Sequence, residues 1–381
     1  GEEETVLDLT VKKGMKEGWV VNADGGYGTE DRFTGKLSLN RFMDNYHVSV
    51  FGSYNNVNDR SMGGWGGRGG RGGGGGDGIV TSQMAGANFA WENGLKEDEA
   101  GLLKFGGNVR FSRDITDRET TSNSQTFLTG SSKWSNSESL SDTKRWNLNA
   151  DFRLEWKPDS LTNIIFRPSY AHNENDSAGD SHSVSFNADP YQTMTDPLRE
   201  YMQLDSDEET RVNSNHRTTS SESASNNGNA ELQINRRLGK PGRNITLDVG
   251  GNYSKTSSLS NSLSRVVYYQ REDDRYDYTR QRNINPSESW NARGRLSYTE
   301  PITQNFNLQA SSQFQYRFSD SDRSVYSLDY LLSKDDITSM GLTDEDLYLG
   351  NIPGIDLINL EKDWVNSQYA TYNEYNHDAT L

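Results

Sequence analysis

Trp146-Asn147-Leu148-Asn149-Ala150-Asp151-Phe152-Arg153-Leu154-Glu155-Trp156 alternates without a slip. Apolar side chains hold the even positions and polar or charged ones the odd positions, a period of two that marks a strand whose two faces meet different surroundings. The odd face carries Asp151, Arg153 and Glu155, which keeps it out of a soluble sandwich, where both inner faces are apolar. Water must bathe it. The even face is closed at both ends by tryptophan, with Leu148, Ala150, Phe152 and Leu154 between. From Trp146 to Trp156 the chain advances about 33 Å at ~3.3 Å per residue, and a tilt of about 40° projects this to about 25 Å. That is the height of the apolar band on a transmembrane β-barrel, where aromatic rings lie at the two lipid–water interfaces.

The same reading extends outward to the rows Trp19 to Tyr27, Leu103 to Phe111, Ile245 to Tyr253, Trp290 to Tyr298 and Phe306 to Phe318. Trp19, Tyr27, Trp146, Trp156, Trp290, Tyr298, Phe306 and Phe318 form the expected lipid-facing girdle. Between Gly18 and Phe318 almost nothing carries apolar residues at helical spacing, and no run approaches the ~20 apolar residues of a spanning helix. Two positions resist the pattern. Pro168 deletes a ladder donor, so a bulge or strand end is expected there. Arg236 interrupts the row Ala230, Leu232, Ile234, close to a turn where interfacial charge is cheap.

Connections alternate as they do in such barrels. Asp44-Asn45, Asn93 to Ala100, Pro158 to Ser160, Gly239 to Arg243 and Glu300 to Gln304 are short. Asn58 to Ile79, Asp114 to Lys144, Asp176 to Gly228 and Lys255 to Ser289 are long and rich in Ser, Asn, Asp and Gly, and Thr29 to Arg32 alone breaks the parity. The expectation is an all-β chain, an antiparallel outer-membrane β-barrel with about eleven strands of a larger barrel and long extracellular loops. Residues 1–17 would end a preceding strand and linker, 18–318 supply the strands, and 319–381 form an extracellular loop region, with Trp364 to Leu381 leading into a next strand.

Composition narrows the function classes. Lys and Arg total 39 against 55 Asp and Glu, a net charge of −16 that argues against nucleic acid, whose phosphates are held by basic side chains. Cationic or sugar-like partners stay open. There is no cysteine, so neither a disulfide nor a thiolate metal site can form. Hydrophobic residues are only 31%, yet 8 Trp, 19 Tyr and 13 Phe are far more rings than a disordered chain carries. Gly1-Glu2-Glu3-Glu4 shows none of the features of an export signal.

The remaining motifs are weaker. Gly63 to Gly72, with Arg68 and Arg71, lacks the ending and following helix of a phosphate loop, and reads as a flexible extracellular loop. Gly179-Asp180-Ser181-His182 resembles a hydrolase block but lacks the strand–turn–helix elbow that presents a nucleophile. No catalytic residue and no cofactor are expected. Asp205, Asp207, Asp320 and Asp322 belong to acidic clusters that are either solvated loop charge or ligands for a hard divalent cation, although the EF-hand spacing fails from Asp320. Asp196 to Met202 and Asp335 to Leu349 each begin with a helix cap, so short helices decorate the loops.

Val6-Leu7-Asp8-Leu9-Thr10-Val11-Lys12-Lys13-Gly14 followed by Gly18-Trp19-Val20-Val21-Asn22-Ala23-Asp24-Gly25-Gly26-Tyr27-Gly28-Thr29 resembles the plug-to-barrel junction of TonB-dependent outer-membrane receptors. The similarity is closest to the related outer-membrane β-barrel family of Bacteroidetes-type bacteria. Asn55-Asn56-Val57-Asn58-Asp59, Asp151-Phe152-Arg153-Leu154-Glu155-Trp156-Lys157-Pro158-Asp159-Ser160-Leu161-Thr162 and Leu296-Ser297-Tyr298-Thr299-Glu300-Pro301-Ile302 extend it over most of the chain. The resemblance implies the N-terminal half of a barrel in the cell outer membrane. Remaining strands would come from the same or another chain, and an upstream plug would answer to a TonB-type energy transducer. It further implies a receptor or transporter that binds a nutrient at extracellular loops, with a surface lipoprotein as partner. The alternative is a barrel that only scaffolds other proteins; an upstream TonB box would distinguish them.

Overall fold

The structure is a computed structural model that describes residues 17–58, 78–97, 99–128, 131–201, 210–303, 306–327 and 361–380. It is all-β and antiparallel. Thirteen strands make one sheet: β1 (Gly18–Tyr27), β2 (Phe33–Phe42), β3 (Tyr46–Asn55), β4 (Ile79–Glu92), β5 (Leu102–Leu128), β6 (Ser131–Asp159), β7 (Thr162–Phe186), β8 (Arg211–Arg237), β9 (Asn244–Tyr268), β10 (Tyr276–Ile284), β11 (Ser287–Thr303), β12 (Phe306–Ser327) and β13 (Glu361–Thr380). Each strand lies beside the next in sequence, except β10 and β11, which follow one another end to end, so the sheet is a meander without crossovers. β10 and β11 occupy one track between β9 and β12, broken only at Asn285-Pro286. Across the break the Asn285 amide still donates to the Ser258 carbonyl (2.8 Å) and the Asp322 amide to the Pro286 carbonyl (3.1 Å).

Counting that pair as one, the eleven expected strands are all present, and the correction is a twelfth track, β13, where a loop was expected. Its Tyr369, Tyr372 and Tyr375 stand among polar residues with hardly an aliphatic neighbour, so no apolar alternation announces it. Pairing to β12 from Ser311↔Thr380 to Arg323↔Gln368 supplies the stabilisation instead.

A second correction concerns the long connections. Asp114 to Lys144 is almost wholly strand, paired from Asp114↔Arg145 to Leu128↔Ser131. Asp176 to Gly228 is strand up to Phe186 and again from Arg211, and Lys255 to Ser289 contains the rest of β9, all of β10 and the start of β11. Backbone hydrogen bonds do not require an apolar face, and Ser, Thr and Asn on both sides leave no periodicity to read. Pro168 is corrected as well. β7 passes through it with Asp151↔Ser169 and Leu154↔Phe166 in a single register, so it interrupts the pairing with β6 without shifting it.

The short connection between β1 and β2 has a local cause. Glu30 and Asp31 have φ of 57° and 54°, the left-handed pair of a type I′ hairpin turn, whose twist matches that of the flanking strands. Non-glycine residues pay about 1–2 kcal/mol each there. Replacing Glu30 by Asn together with Asp31 by Gly should raise stability by about 1 kcal/mol in a denaturant titration, although the Tyr27 hydroxyl loses its bond to the Asp31 carboxylate (2.7 Å).

At the opposite end, in the turn between β4 and β5, Glu97 receives hydrogen bonds from the ammonium groups of Lys104 and Lys157, the latter at 2.8 Å. These hold its carboxyl down to about 2. A depressed carboxylate stabilises the fold above its ordinary titration range and loses that contribution as pH falls through the folded value. The difference in denaturation midpoint between the parent and Glu97→Gln should be constant above pH 4.5 and shrink toward pH 2. An unchanged difference at the lowest pH would show that the carboxylate is not held.

Candidate functional site

The sheet has an apolar face and a polar face, and its apolar side chains are mostly uncovered. Among the described residues only Val80, Leu102, Ile165, Val184, Phe186, Met194, Leu263 and Val325 are buried hydrophobics. On the apolar face Trp19 is 58%, Val249 45%, Leu296 48% and Phe306 56% exposed. A monomeric soluble protein does not leave such a surface to water. Tyr27, Trp156, Trp290 and Tyr298 are exposed too, whereas Trp146 and Phe318 are half-buried beside neighbouring rings. Trp146 lies 4.4 Å from His172, Trp290 lies 4.6 Å from Tyr316, and Tyr316 lies 4.6 Å from Tyr375. Phe89, Phe105 and Phe152 cluster in mid-band, and Gly107 makes room for them: a Cβ there would meet the Phe152 ring at 2.6 Å.

The register sets the slope of this band. One row of directly opposed residues crosses eleven tracks as Val21, Leu39, Val50, Ala87, Val109, Ala150, Tyr170, Gly228, Tyr253, Trp290 and Phe318. Val21 stands two residues from Trp19, the short-turn end of its apolar row, whereas Phe318 stands twelve from Phe306 at the same end. The row therefore climbs ten residues in ten steps between strands, one residue per strand. With ~3.3 Å per residue and ~4.8 Å between strands, the strands tilt by about 35° from the normal of the band.

The polar face carries the charges. Arg293 reaches Glu231 at 2.5 Å by lying across Gly250, where a Cβ would stand 3.1 Å from its Nε. Arg167 and Arg295 share the recess that this pair borders, with Gln233, Asp248 and Gln313. Arg236, the exception on the apolar row, donates to the Thr162 hydroxyl (3.1 Å) and faces Asp159 at 3.8 Å, at the turn as expected.

Beyond the band, β6, β7 and β8 carry a feature that alternation does not reveal. The segment between β7 and β8 folds back on the sheet, with a 3-10 turn at Pro190–Gln192 and α1 (Pro197–Glu200). The Asp196 side chain accepts from the Leu198 amide and caps α1, as its sequence predicts. Val184, Phe186 and Met194 are buried beneath the segment, with Trp134, Leu198 and Tyr201 packed around them. His182 Nε2 lies 3.2 Å from the Tyr201 hydroxyl, and the two rings are 5.4 Å apart. Burial, and then the neighbouring His216, keep His182 below its ordinary pKa, while burial raises Tyr201. Val184-x-Phe186 followed by Met194 and Leu198 is the only sequence signal, too short to separate from an ordinary loop.

Gly179-Asp180-Ser181-His182 lies within β7, not on an elbow. Asp180 accepts from His216 (2.9 Å) and Thr218 (3.1 Å), whereas the Ser181 hydroxyl donates to the Arg217 carbonyl (3.4 Å) and, one residue along the strand, belongs to the opposite face. Asp320 accepts from Thr371 (2.9 Å) and Asp322 from Ser324 (3.2 Å), with Lys362 3.9 Å from Asp322. Among the described residues no three His, Asp or Glu side chains form a group that could hold a metal ion. Asp205, Asp207, the Gly63 to Gly72 stretch and the helix expected at Asp335 to Leu349 lie outside the described residues. No described helix is long and apolar enough to cross a membrane. The chain matches no protein-family model, no curated protein and no solved structure.

Proposed function

We propose that this chain forms part of the wall of an outer-membrane β-barrel of the TonB-dependent-receptor type, a receptor or transporter component. Its polar face lines a wet lumen, and its extended strands project beyond the lipid to meet a nutrient. The observation that carries the reading is the exposed apolar band, eleven tracks wide and edged by aromatic rings, opposite a charged face. The band's slope agrees with it, because barrel strands tilt about 35–45°. So does the meander, the topology in which such barrels close.

Among the described residues β1 pairs only with β2 and β13 only with β12, so each keeps one unpaired edge. Unmet backbone groups in hydrocarbon cost several kcal/mol each. Further strands, from this chain or another, therefore complete the ring.

A cysteine-free chain makes the test clean. Val249→Cys carrying a fluorophore should be quenched by brominated lipid and not by aqueous iodide, and Gln233→Cys should show the reverse. The same quencher reaching both would end the membrane reading. Uptake driven by an inner-membrane energy source would then separate a transporter from a scaffold.

A further inference from the structure

The polar face is not uniformly charged. Six successive polar-face positions on each of four neighbouring tracks are free of charge: the odd positions of 169–179 on β7 and 219–229 on β8, the even positions of 252–262 on β9, and the odd positions of 281–291 on β10 and β11. The pairings set these positions side by side, from Ser169↔Asn229, Asn229↔Asn252 and Asn252↔Asn291 at one end to Gly179↔Thr219, Thr219↔Ser262 and Ser262↔Gln281 at the other. Charged residues are 25% of the chain, so six would be expected among these 24 positions, and there are none. The alternate positions of the same segments, on the other face, include Glu174, Asp176, Glu222, Lys255, Arg282 and Glu288. Charge is therefore excluded from one side of these strands only.

What replaces it is amide and hydroxyl. Asn, Gln, Ser and Thr fill every position but Ala171 and Gly179. The strip measures about 33 Å along the strands by about 15 Å across them. It begins in the apolar band and runs into the extensions. None of its residues is buried, and Asn229, Asn252 and Asn291, abreast on one row, make no side-chain hydrogen bond among the described residues. Elsewhere Ser254 donates to Asn227 (2.7 Å), Asn173 to Ser225 (3.4 Å) and Ser258 to the Asn285 carbonyl (3.5 Å), and Asn283 Oδ1 is covered; the other strip side chains are half-buried or exposed.

An ion entering such a strip would surrender hydration without meeting an opposite charge. A sugar hydroxyl both donates and accepts, and so do side-chain amides and hydroxyls. We infer that this strip is a contact surface for a neutral, polyhydroxylated solute, a saccharide; the inference rests on the polar face lining the barrel lumen. Arg167, Glu231, Asp248 and Arg293, which lie toward the short turns, bound the strip at its lower end.

The test uses the protein in lipid vesicles with Ser289→Cys, a strip position next to Asn291, and a hydrophilic maleimide. Maltoheptaose at millimolar concentration should slow labelling at least threefold, an oligogalacturonate of equal length should not, and adding Asn252→Asp should abolish the protection. Labelling that neither sugar slows, or that both slow equally, overturns the saccharide assignment and leaves the barrel standing. A Ser289→Cys variant that stays unlabelled while Val249→Cys reacts would overturn the barrel reading, and this one with it.

Discussion

Replacing Ala150 with arginine should cost about 2 to 4 kcal/mol of stability in lipid, whereas the same replacement at Asn149 should leave it within about 0.5 kcal/mol. The two residues are adjacent and differ only in the face they occupy. Ala150 sits between Val109 and Tyr170 in the middle of the apolar band, where, in the proposed membrane setting, a guanidinium would have no water and no partner. Asn149 sits between Arg110 and Ala171 on the polar face, among groups that are already hydrated. Depth gives an internal control. Arginine at Trp146 or Trp156, at the edges of the band, should cost only about 0–1 kcal/mol, because the side chain can reach the interface. Folding into vesicles from urea measures all four variants, and equal losses at positions 149 and 150 would remove β6 from the membrane.

Phe186→Ala should have the next largest effect, about 3 to 5 kcal/mol, confined to the cap on the extended strands. Phe186 is fully buried against Val184 and Met194, and the segment 187–201 has little else to hold it. The Asn136 amide donates to the Tyr191 hydroxyl (2.6 Å) and Arg211 donates to the Tyr201 carbonyl (2.8 Å). Those bonds depend on the segment already lying on the sheet. Amide exchange at Met194 and Glu200, whose N–H groups bond the carbonyls of Pro190 and Asp196, should accelerate by two to three orders of magnitude, while amides of the band keep their protection. Uniform loss of protection would mean that the cap and the sheet unfold together.

Much of the sheet is legible residue by residue. Trp146 to Trp156 declares its own conformation and both faces, because a strand whose two faces meet different surroundings alternates apolar with polar. Wherever that contrast fades the reading fades too. Beyond Arg113 on β5 and Trp146 on β6 the strands continue for more than ten residues, but Ser, Thr and Asn stand on both sides, and a hairpin there looks like any polar loop. β13 escaped for the same reason. The candidate cation site had no such support: acidic residues close in sequence, such as Asp320 and Asp322, bond separate neighbours rather than a common centre.

Alternation by itself determines which residues form strands in the band and which side of each strand is apolar, because side-chain direction repeats every two residues whatever the neighbours are. It also determines, through the paired aromatic ends, how tall the band is. Register is a different matter. Nothing in the row Trp19 to Tyr27 says that Val21 lies level with Phe318 ten steps away; that follows only from the summed offsets of every intervening hydrogen-bonded pair. The slope of the band, the uncharged strip across four tracks and the burial of Phe186 beneath a segment from the β7–β8 connection are all properties of residues far apart in sequence. Only the tertiary structure could decide them, because each depends on which side chains are brought level across strands rather than on their order along the chain.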